Sequence, residues 1–144
     1  MQSNVLKRAT NGLTWIALAV VVATVQAETV VVVSSRSNVS NLSANQVGQI
    51  FLSKRATFPN GDAAVPVDLA DGPVKSEFYR KVTGKDANQL KSYWSQLIFT
   101  GSAKPPRSVA DSAEARRLIA STPGMIGYIS REALDSSVKV ILEP

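Results

Sequence analysis

A turn formed by Asp71, Gly72 and Pro73 joins a short apolar run to an amphipathic segment that contains Lys75 and Ser76. Pro73 is well placed at the first position of a helix. The first backbone N–H groups of a helix have no partner within the helix and lie at the positive end of its dipole. Together with an ammonium and a hydroxyl, such a turn can bind phosphate or another oxyanion.

The same turn contains features that oppose an anion. The carboxylates of Asp68 and Asp71 would each repel a bound anion by about 1 kcal/mol at a separation of ~4 Å in water. Pro73 has no N–H to donate. Lys75 and the helix dipole favour the anion by ~0.3–1 kcal/mol from the dipole plus a comparable ion-pair contribution. The alternative interpretation is that Asp71 only caps the helix.

A second polar group follows the first predicted strand, because Ser34, Ser35 and Arg36 come directly after four consecutive valines. Open α/β sheets bind ligands at the carboxyl ends of their strands, and arginine pairs well with oxyanions. A solvated loop is the alternative for Arg36. Ser130 follows another predicted strand, where it could face the same crevice. The predicted ligand-binding residues are Ser34, Ser35, Arg36, Asp71, Gly72, Lys75, Ser76 and Ser130.

Histidine and cysteine are absent from the sequence. Their absence removes the usual general base, the Ser-His-Asp triad, thiolate chemistry and the commonest metal ligand. An unusual lysine base would be the remaining route to a nucleophile. We therefore predict a protein that is not an enzyme, with no catalytic residue, no metal site and no cofactor.

The first 27 residues have the pattern of a secretory signal peptide. Lys7 and Arg8 precede an apolar segment at about 13–25, and small residues precede a cleavage site after Ala27. We predict cleavage there and release of 28–144 into the periplasm. A retained membrane anchor is the alternative, although the apolar run is shorter than the ~20 residues that a span needs.

Export would leave one domain, 28–144, of moderate charge. Cleavage removes two positive charges from the +5 of the whole sequence and leaves +3, so we predict no nucleic-acid partner. Basic residues late in the chain form a surface that suits an acidic partner or anionic lipid, with a solvated face as the alternative. These residues are Lys104, Arg107, Arg116 and Arg117.

Strands and helices alternate along 28–144, which is typical of an α/β fold in which helices cover a small sheet. Pro66 indicates a strand near an edge, or one that pairs on one side only. Leu90, Trp94, Leu97 and Ile98 are predicted to share a buried stripe, and Trp94 and Phe99 to be core or interface aromatics. The predicted strands are 29–33, 64–68, 125–130 and 136–144, and the predicted helices are 43–51, 73–83, 86–99 and 111–122.

Several pieces of the sequence, in their order and spacing, resemble the phosphate-binding substrate-binding proteins of ABC importers, a branch of the type 2 periplasmic binding proteins. The pieces are VVVVSSRSNVSNLSANQVGQIFLSKRATFPNG, FYRKVTG, YWSQLIFTG and STPGMIGYIS. The most specific pieces are QVGQIFLSK and PGMIGYI. The corresponding motifs of that family are L..IFLGK..W and PGAIGYV. The resemblance implies one lobe of that fold, a small mixed sheet flanked by helices. It also implies non-catalytic binding of inorganic phosphate or a similar anion and an ABC transporter or other envelope protein as partner.

The chain departs from the family in two respects. Full-length members have two lobes, whereas this chain resembles one, and a homodimer is one way to rebuild a cleft. Family members also carry Arg and Ser-Gly-Thr at the turn where this chain has Asp71, Gly72 and Pro73. The alternative function is therefore a periplasmic protein-interaction module that has lost ligand binding.

Overall fold

The computed structural model of the protein describes residues 19–21 and 28–144. The predicted signal peptide therefore lies almost wholly outside the described residues, as does the predicted cleavage site after Ala27. In the part of the chain that is described, no helix has the length and apolar character to cross a membrane.

Five strands make up the sheet of residues 28–144. They are β1 (Thr29–Ser34), β2 (Val65–Leu69), β3 (Arg107–Val109), β4 (Met125–Ser130) and β5 (Val138–Leu142). Their order across the sheet is β3-β2-β4-β1-β5. β2 is parallel to both β3 and β4, whereas β1 is antiparallel to both β4 and β5. β1 is buried along its whole length, as its valine run predicts.

Four α-helices accompany the sheet in the same part of the chain. They are α1 (Ala44–Phe51), α2 (Pro73–Thr83), α3 (Ala87–Phe99) and α4 (Ser112–Ser121), and a 3-10 turn covers Arg131–Ala133. Ser43 and Asp86 form capping boxes at the starts of α1 and α3, and Asp111 caps α4. Gly84 ends α2 in the left-handed conformation, with φ of 72°. The predicted helices are confirmed, with small differences at their ends.

An aromatic cluster joins α1, α2 and β4 in the core. Phe78 stacks on Tyr128 with ring centroids 3.9 Å apart and planes 7° from parallel. Phe51 meets both rings, at 4.8 and 5.7 Å, in tilted or edge-on geometries. Such pairs stabilise a fold beyond the area that they bury, so this cluster holds the start of α2 against the sheet.

Two features of the sheet refine the sequence prediction. β2 lies next to the edge strand, and Pro66 pairs on one side only, with Ile126 of β4, because the pairing of β3 begins opposite Val67. Pro66 therefore costs no hydrogen bond to β3. β3 is not among the predicted strands, because its first two residues, Arg107 and Ser108, are exposed and give no apolar pattern.

The last turn of α3 contradicts the predicted stripe. Leu90 and Trp94 are buried and Leu97 is half-buried, as expected, but Ile98 is 56% exposed. Phe99 is 92% exposed, so of its two predicted roles, core or interface aromatic, the core role is wrong. The inner face of α3 is already filled by Leu90, Trp94 and Leu97, and the residues that follow lie past the core.

Gly127 of β4 lies directly beneath Ile119 of α4. A Cβ added there would overlap with Cδ1 of Ile119 and lie 3.4 Å from the carbonyl oxygen of Val67. We expect Gly127→Ala to lower the free energy of unfolding by about 1–3 kcal/mol through overpacking, measured by urea denaturation. Ile119→Val removes the overlapping methyl, so the double variant should be more stable than the sum of the single losses predicts. Strict additivity would show that this overlap is not the cause.

Candidate anion-binding site

The predicted site residues lie at opposite ends of the sheet. The register pairs Thr29 with Ser130 and Val33 with Ile126, so β1 and β4 run in opposite directions, whereas β2 runs with β4. The carboxyl end of β1 therefore lies at the other end of the sheet from the carboxyl ends of β2 and β4. The expectation of a single crevice is wrong, because the rule that gathers ligands at carboxyl ends applies to strands that run the same way.

At the carboxyl end of β1, the predicted anion ligands make contacts within the fold. Ser34 is buried; its hydroxyl donates to the carbonyl oxygen of Ala120 at 3.1 Å and accepts from the backbone N–H of Arg36 at 3.2 Å. The Arg36 guanidinium donates to the same carbonyl, at 3.4 Å, near the carboxyl end of α4, where the helix dipole favours a cation. Ser35 is exposed, and its backbone N–H donates to Ser137. These contacts favour a structural role for Ser34 and Arg36.

At the other end of the sheet, Asp71, Gly72, Lys75 and Ser76 line one cleft of about 380 Å³. This volume lies within the range of small-molecule sites. The cleft separates the first turn of α2 from the first half of α3, which supplies Lys91 and Trp94 among others.

Ser130 lies at the same end of the sheet as this cleft. Its backbone N–H donates to the hydroxyl of Ser112 at 3.0 Å, which joins the end of β4 to the start of α4. The residues that line the cleft come from α2, α3 and their connections. Ser130 is therefore at the same end of the sheet as the site but is not part of its wall.

The first turn of α2 has unpaired backbone donors. Gly72 is its N-cap, and no side chain within 28–144 accepts a hydrogen bond there. The interpretation of Asp71 as the cap is thus wrong. Pro73 has no N–H, and the first bond of the turn runs from Ser76 N–H to Gly72 O at 3.0 Å. The second and third helical positions, Val74 and Lys75, therefore carry the N–H groups that a helix leaves free at its start.

Lys75 lies between two carboxylates of different kinds. Its Nζ is 3.5 Å from Oδ2 of Asp68 and 3.1 Å from Oδ1 of Asp71. The Asp68 side chain is 5% exposed, whereas that of Asp71 is 98% exposed. A solvated pair of this kind is worth ~0–1 kcal/mol. An anion entering the cleft could therefore take the place of Asp71 beside the ammonium at little cost.

Asp68, which the sequence argument counted against an anion, is bound into the core. Its carboxylate accepts hydrogen bonds from the hydroxyls of Tyr79, at 3.0 Å, and Tyr128, and from the backbone N–H of Leu69 at 2.9 Å. With Lys75 these donors compensate a buried charge that would otherwise be costly. Asp68 thus has a structural role in the core beneath the start of α2, whereas the carboxylate of Asp71 faces solvent.

The sequence analysis identified neither Tyr79 nor Tyr128 as a partner of Asp68. A signal was present, because a charged residue inside the buried strand β2 requires hydrogen-bond donors in the core, and tyrosine can bring a hydroxyl there. Burial raises the pKa of both tyrosines far above the usual value, and the charge and hydrogen bond of Asp68 raise it further. Both hydroxyls therefore stay protonated and donate to Asp68.

No protein-family profile and no curated protein matches this sequence. Solved structures with a similar fold include a protein of Clostridium perfringens described as a phosphate ABC transporter substrate-binding protein, with bound phosphate. It has a TM-score of 0.63 and 20% identity over 79% of this chain. An ABC-type phosphate transport receptor from Vibrio cholerae has a TM-score of 0.55 and 17% identity over 79% of this chain.

A protein of Planctomyces limnophilus described as a possible phosphate-binding protein has a TM-score of 0.52 at 11% identity over 79% of this chain. The matched region spans 44%, 45% and 40% of the three proteins, in the order given. The predicted fold, a small mixed sheet flanked by helices, is confirmed. At sequence identities of 20% or less, the similarity to these structures shows the fold alone. The chain therefore has the α/β fold of phosphate-type ABC transporter substrate-binding proteins, over less than half of their length.

Proposed function

We propose that the chain is an exported, non-catalytic binding protein that binds phosphate or a related oxyanion at the start of α2. The observation that carries this proposal is the uncapped first turn of α2, which lines the cleft together with Lys75. The similar fold of the Clostridium perfringens protein, whose structure contains phosphate, supports the same class of ligand.

Binding would use groups at the start of α2. The N–H groups of Val74 and Lys75 would donate to the phosphate oxygens, the ammonium of Lys75 would turn from Asp71 to the anion, and the hydroxyl of Ser76 would donate a further hydrogen bond. Hydrogen bonds to charged groups contribute about 1.5–3 kcal/mol each. Because Pro73 removes one donor and Asp71 repels the anion, we expect a dissociation constant on the order of 1 mM.

Export to the periplasm is part of this proposal. The first residue after the predicted cleavage site, Glu28, is already held by the fold: its carbonyl oxygen accepts from the backbone N–H of Arg131 at 2.8 Å, and its carboxylate pairs with the guanidinium of Arg131. A chain beginning at Glu28 would therefore keep the contacts that secure the start of β1.

A phosphate titration of 28–144 at low salt tests the proposal. Trp94 lines the cleft and is the only tryptophan of this segment, because Trp15 lies in the predicted signal peptide. We expect saturable changes in Trp94 fluorescence and in the amide NMR shifts of 72–76, with sulfate as the comparison anion. Flat spectra up to tens of millimolar phosphate, well beyond the ~1 mM expected, would contradict binding.

Lys75→Met is expected to weaken phosphate binding at least tenfold, because it removes a charge-assisted contact worth ~1.5–3 kcal/mol. Lys81→Met is the matched control, since Lys81 lies in the last turn of the same helix and pairs with Glu77. Asp71→Asn should strengthen binding by removing a repelling charge. Equal affinities for the two lysine variants would argue against the α2 start as the site.

The second candidate function is a protein-interaction module, with an ABC transporter, another envelope protein or a second copy as partner. Pro73 and Asp71 favour it, because they stand where an anion site needs a donor and no negative charge. A ligand that binds the native state must raise the melting temperature. A melting temperature that does not respond to phosphate would therefore favour this candidate.

A further inference from the structure

The last turn of α3 exposes two adjacent large apolar side chains. Phe99 is 92% exposed and Ile98 is 56% exposed. Among the other large apolar side chains of 28–144, only Val65 is comparably open, at 48%. We call Ile98 and Phe99 the α3 tip. A nearly fully exposed phenylalanine on an otherwise well-packed domain suggests contact with another surface.

The backbone after α3 holds the tip in a defined position. The N–H of Gly101 donates to the carbonyl oxygen of Ile98 at 3.1 Å, and that of Ser102 donates to Leu97 at 3.0 Å. Gly101 has a φ of 67°. This pair of bonds is the Schellman motif that ends many helices. The α3 tip is thus presented by an ordered turn.

The chain around the α3 tip carries positive charge only. The segment 87–110 contains Lys91, Lys104 and Arg107 and no Asp or Glu. The three cationic side chains are exposed, and within 28–144 none of them forms an ion pair. The segment 87–110 therefore combines two exposed apolar side chains with three exposed cations that form no ion pair within 28–144.

We propose that the α3 tip docks on an anionic lipid bilayer, with Phe99 and Ile98 in the interfacial layer and the three cations against the headgroups. Two exposed side chains are too few for a stable protein interface, which buries roughly 800 Å² on each partner. An apolar projection with basic neighbours is sufficient for peripheral membrane contact, because each Lys or Arg near an anionic surface adds attraction.

Vesicle cosedimentation of 28–144 tests this proposal. This segment contains every strand and helix described above, and the apolar run of 1–27 would itself bind lipid. Equimolar phosphatidylglycerol and phosphatidylcholine vesicles should bind the protein, less so at high salt, and pure phosphatidylcholine vesicles should bind it weakly. Phe99→Ala should weaken binding to the anionic vesicles by about tenfold, and Lys104→Gln combined with Arg107→Gln by a similar factor, ~tenfold.

Val65→Ala is the matched control, because it trims an exposed apolar side chain of β2 and should leave lipid binding unchanged. Both Phe99 and Val65 are exposed, so neither variant should alter the melting temperature. No binding to the anionic vesicles, or equal binding by Phe99→Ala and the unmodified domain, would overturn the proposal. So would a dimer, seen by sedimentation equilibrium, that Phe99→Ala dissociates while vesicles stay unbound, because the tip would then be a contact between copies.

Discussion

Replacing Asp68 with Ala should lower the free energy of unfolding by about 3–5 kcal/mol, a large part of the stability of a small domain. The side chain is 5% exposed and accepts hydrogen bonds from the hydroxyls of Tyr79 and Tyr128. Its removal would leave these two buried hydroxyls without the carboxylate, deprive Lys75 of its buried partner and open a cavity. Urea denaturation would measure the loss.

Asp71→Ala is the matched control for this prediction. Asp71 pairs with the same ammonium at 3.1 Å, but its side chain is 98% exposed, so its loss should cost at most ~1 kcal/mol. Asp68→Asn should fall between the two, since it keeps the volume and one acceptor oxygen. If Asp68→Ala proved as stable as Asp71→Ala, the tyrosine network would contribute little to the fold.

The same network should make the protein unfold at alkaline pH. Burial, and then the charge and hydrogen bond of Asp68, raise the pKa of Tyr79 and Tyr128 far above the ordinary value of about 10. Below pH ~10 both tyrosines are protonated in the folded and in the unfolded protein, and the stabilisation by this network is fully present. Above pH ~10 the tyrosines ionise in the unfolded protein but not in the folded one. The free energy of unfolding should then fall by ~1.4 kcal/mol per pH unit for each tyrosine.

Urea denaturation from neutral pH to beyond pH ~10 would measure this slope, and tyrosinate absorbance would follow ionisation. Tyr128→Phe should reduce the slope by about half, because one of the two protons no longer takes part. Tyr93→Phe is the comparison: burial raises the pKa of Tyr93, but it donates to the carbonyl of Leu52 rather than to a carboxylate, so we expect a smaller effect. Tyrosines that all ionise near pH 10 in the folded protein would contradict the prediction.

The buried network also bears on the proposed anion site. Asp68 holds Lys75 from below, while the contact of Lys75 with Asp71 is exposed to water. The ammonium is therefore positioned at the start of α2 before any anion arrives, and the exposed carboxylate is the one that an anion would replace. Asp68→Asn keeps the side-chain volume but removes the charge that holds the Lys75 ammonium. In its folded form this variant therefore tests the positioning of Lys75 separately from the stability of the domain.

The sequence by itself determined the helices, most of the strands and nearly all of the helix ends. These features depend on neighbours along the chain. The capping boxes of Ser43 and Asp86 each join residues three positions apart, and Pro73 and Gly84 mark the two ends of α2 through their own backbone preferences. Four consecutive valines were likewise enough to predict the buried strand β1. The turn before α2 was correctly identified as a helix start for the same reason.

Only the tertiary structure decided which of the predicted site residues meet. The direction of β1 depends on its pairing with β4, so that Thr29 lies opposite Ser130, and no local pattern states that direction. One partner of Asp68 is Tyr128, far along the chain, and the exposure of Phe99 depends on where the core ends. Strand direction, buried hydrogen bonds and the limit of the core all arise from contacts between distant residues, which periodicity along the chain does not encode.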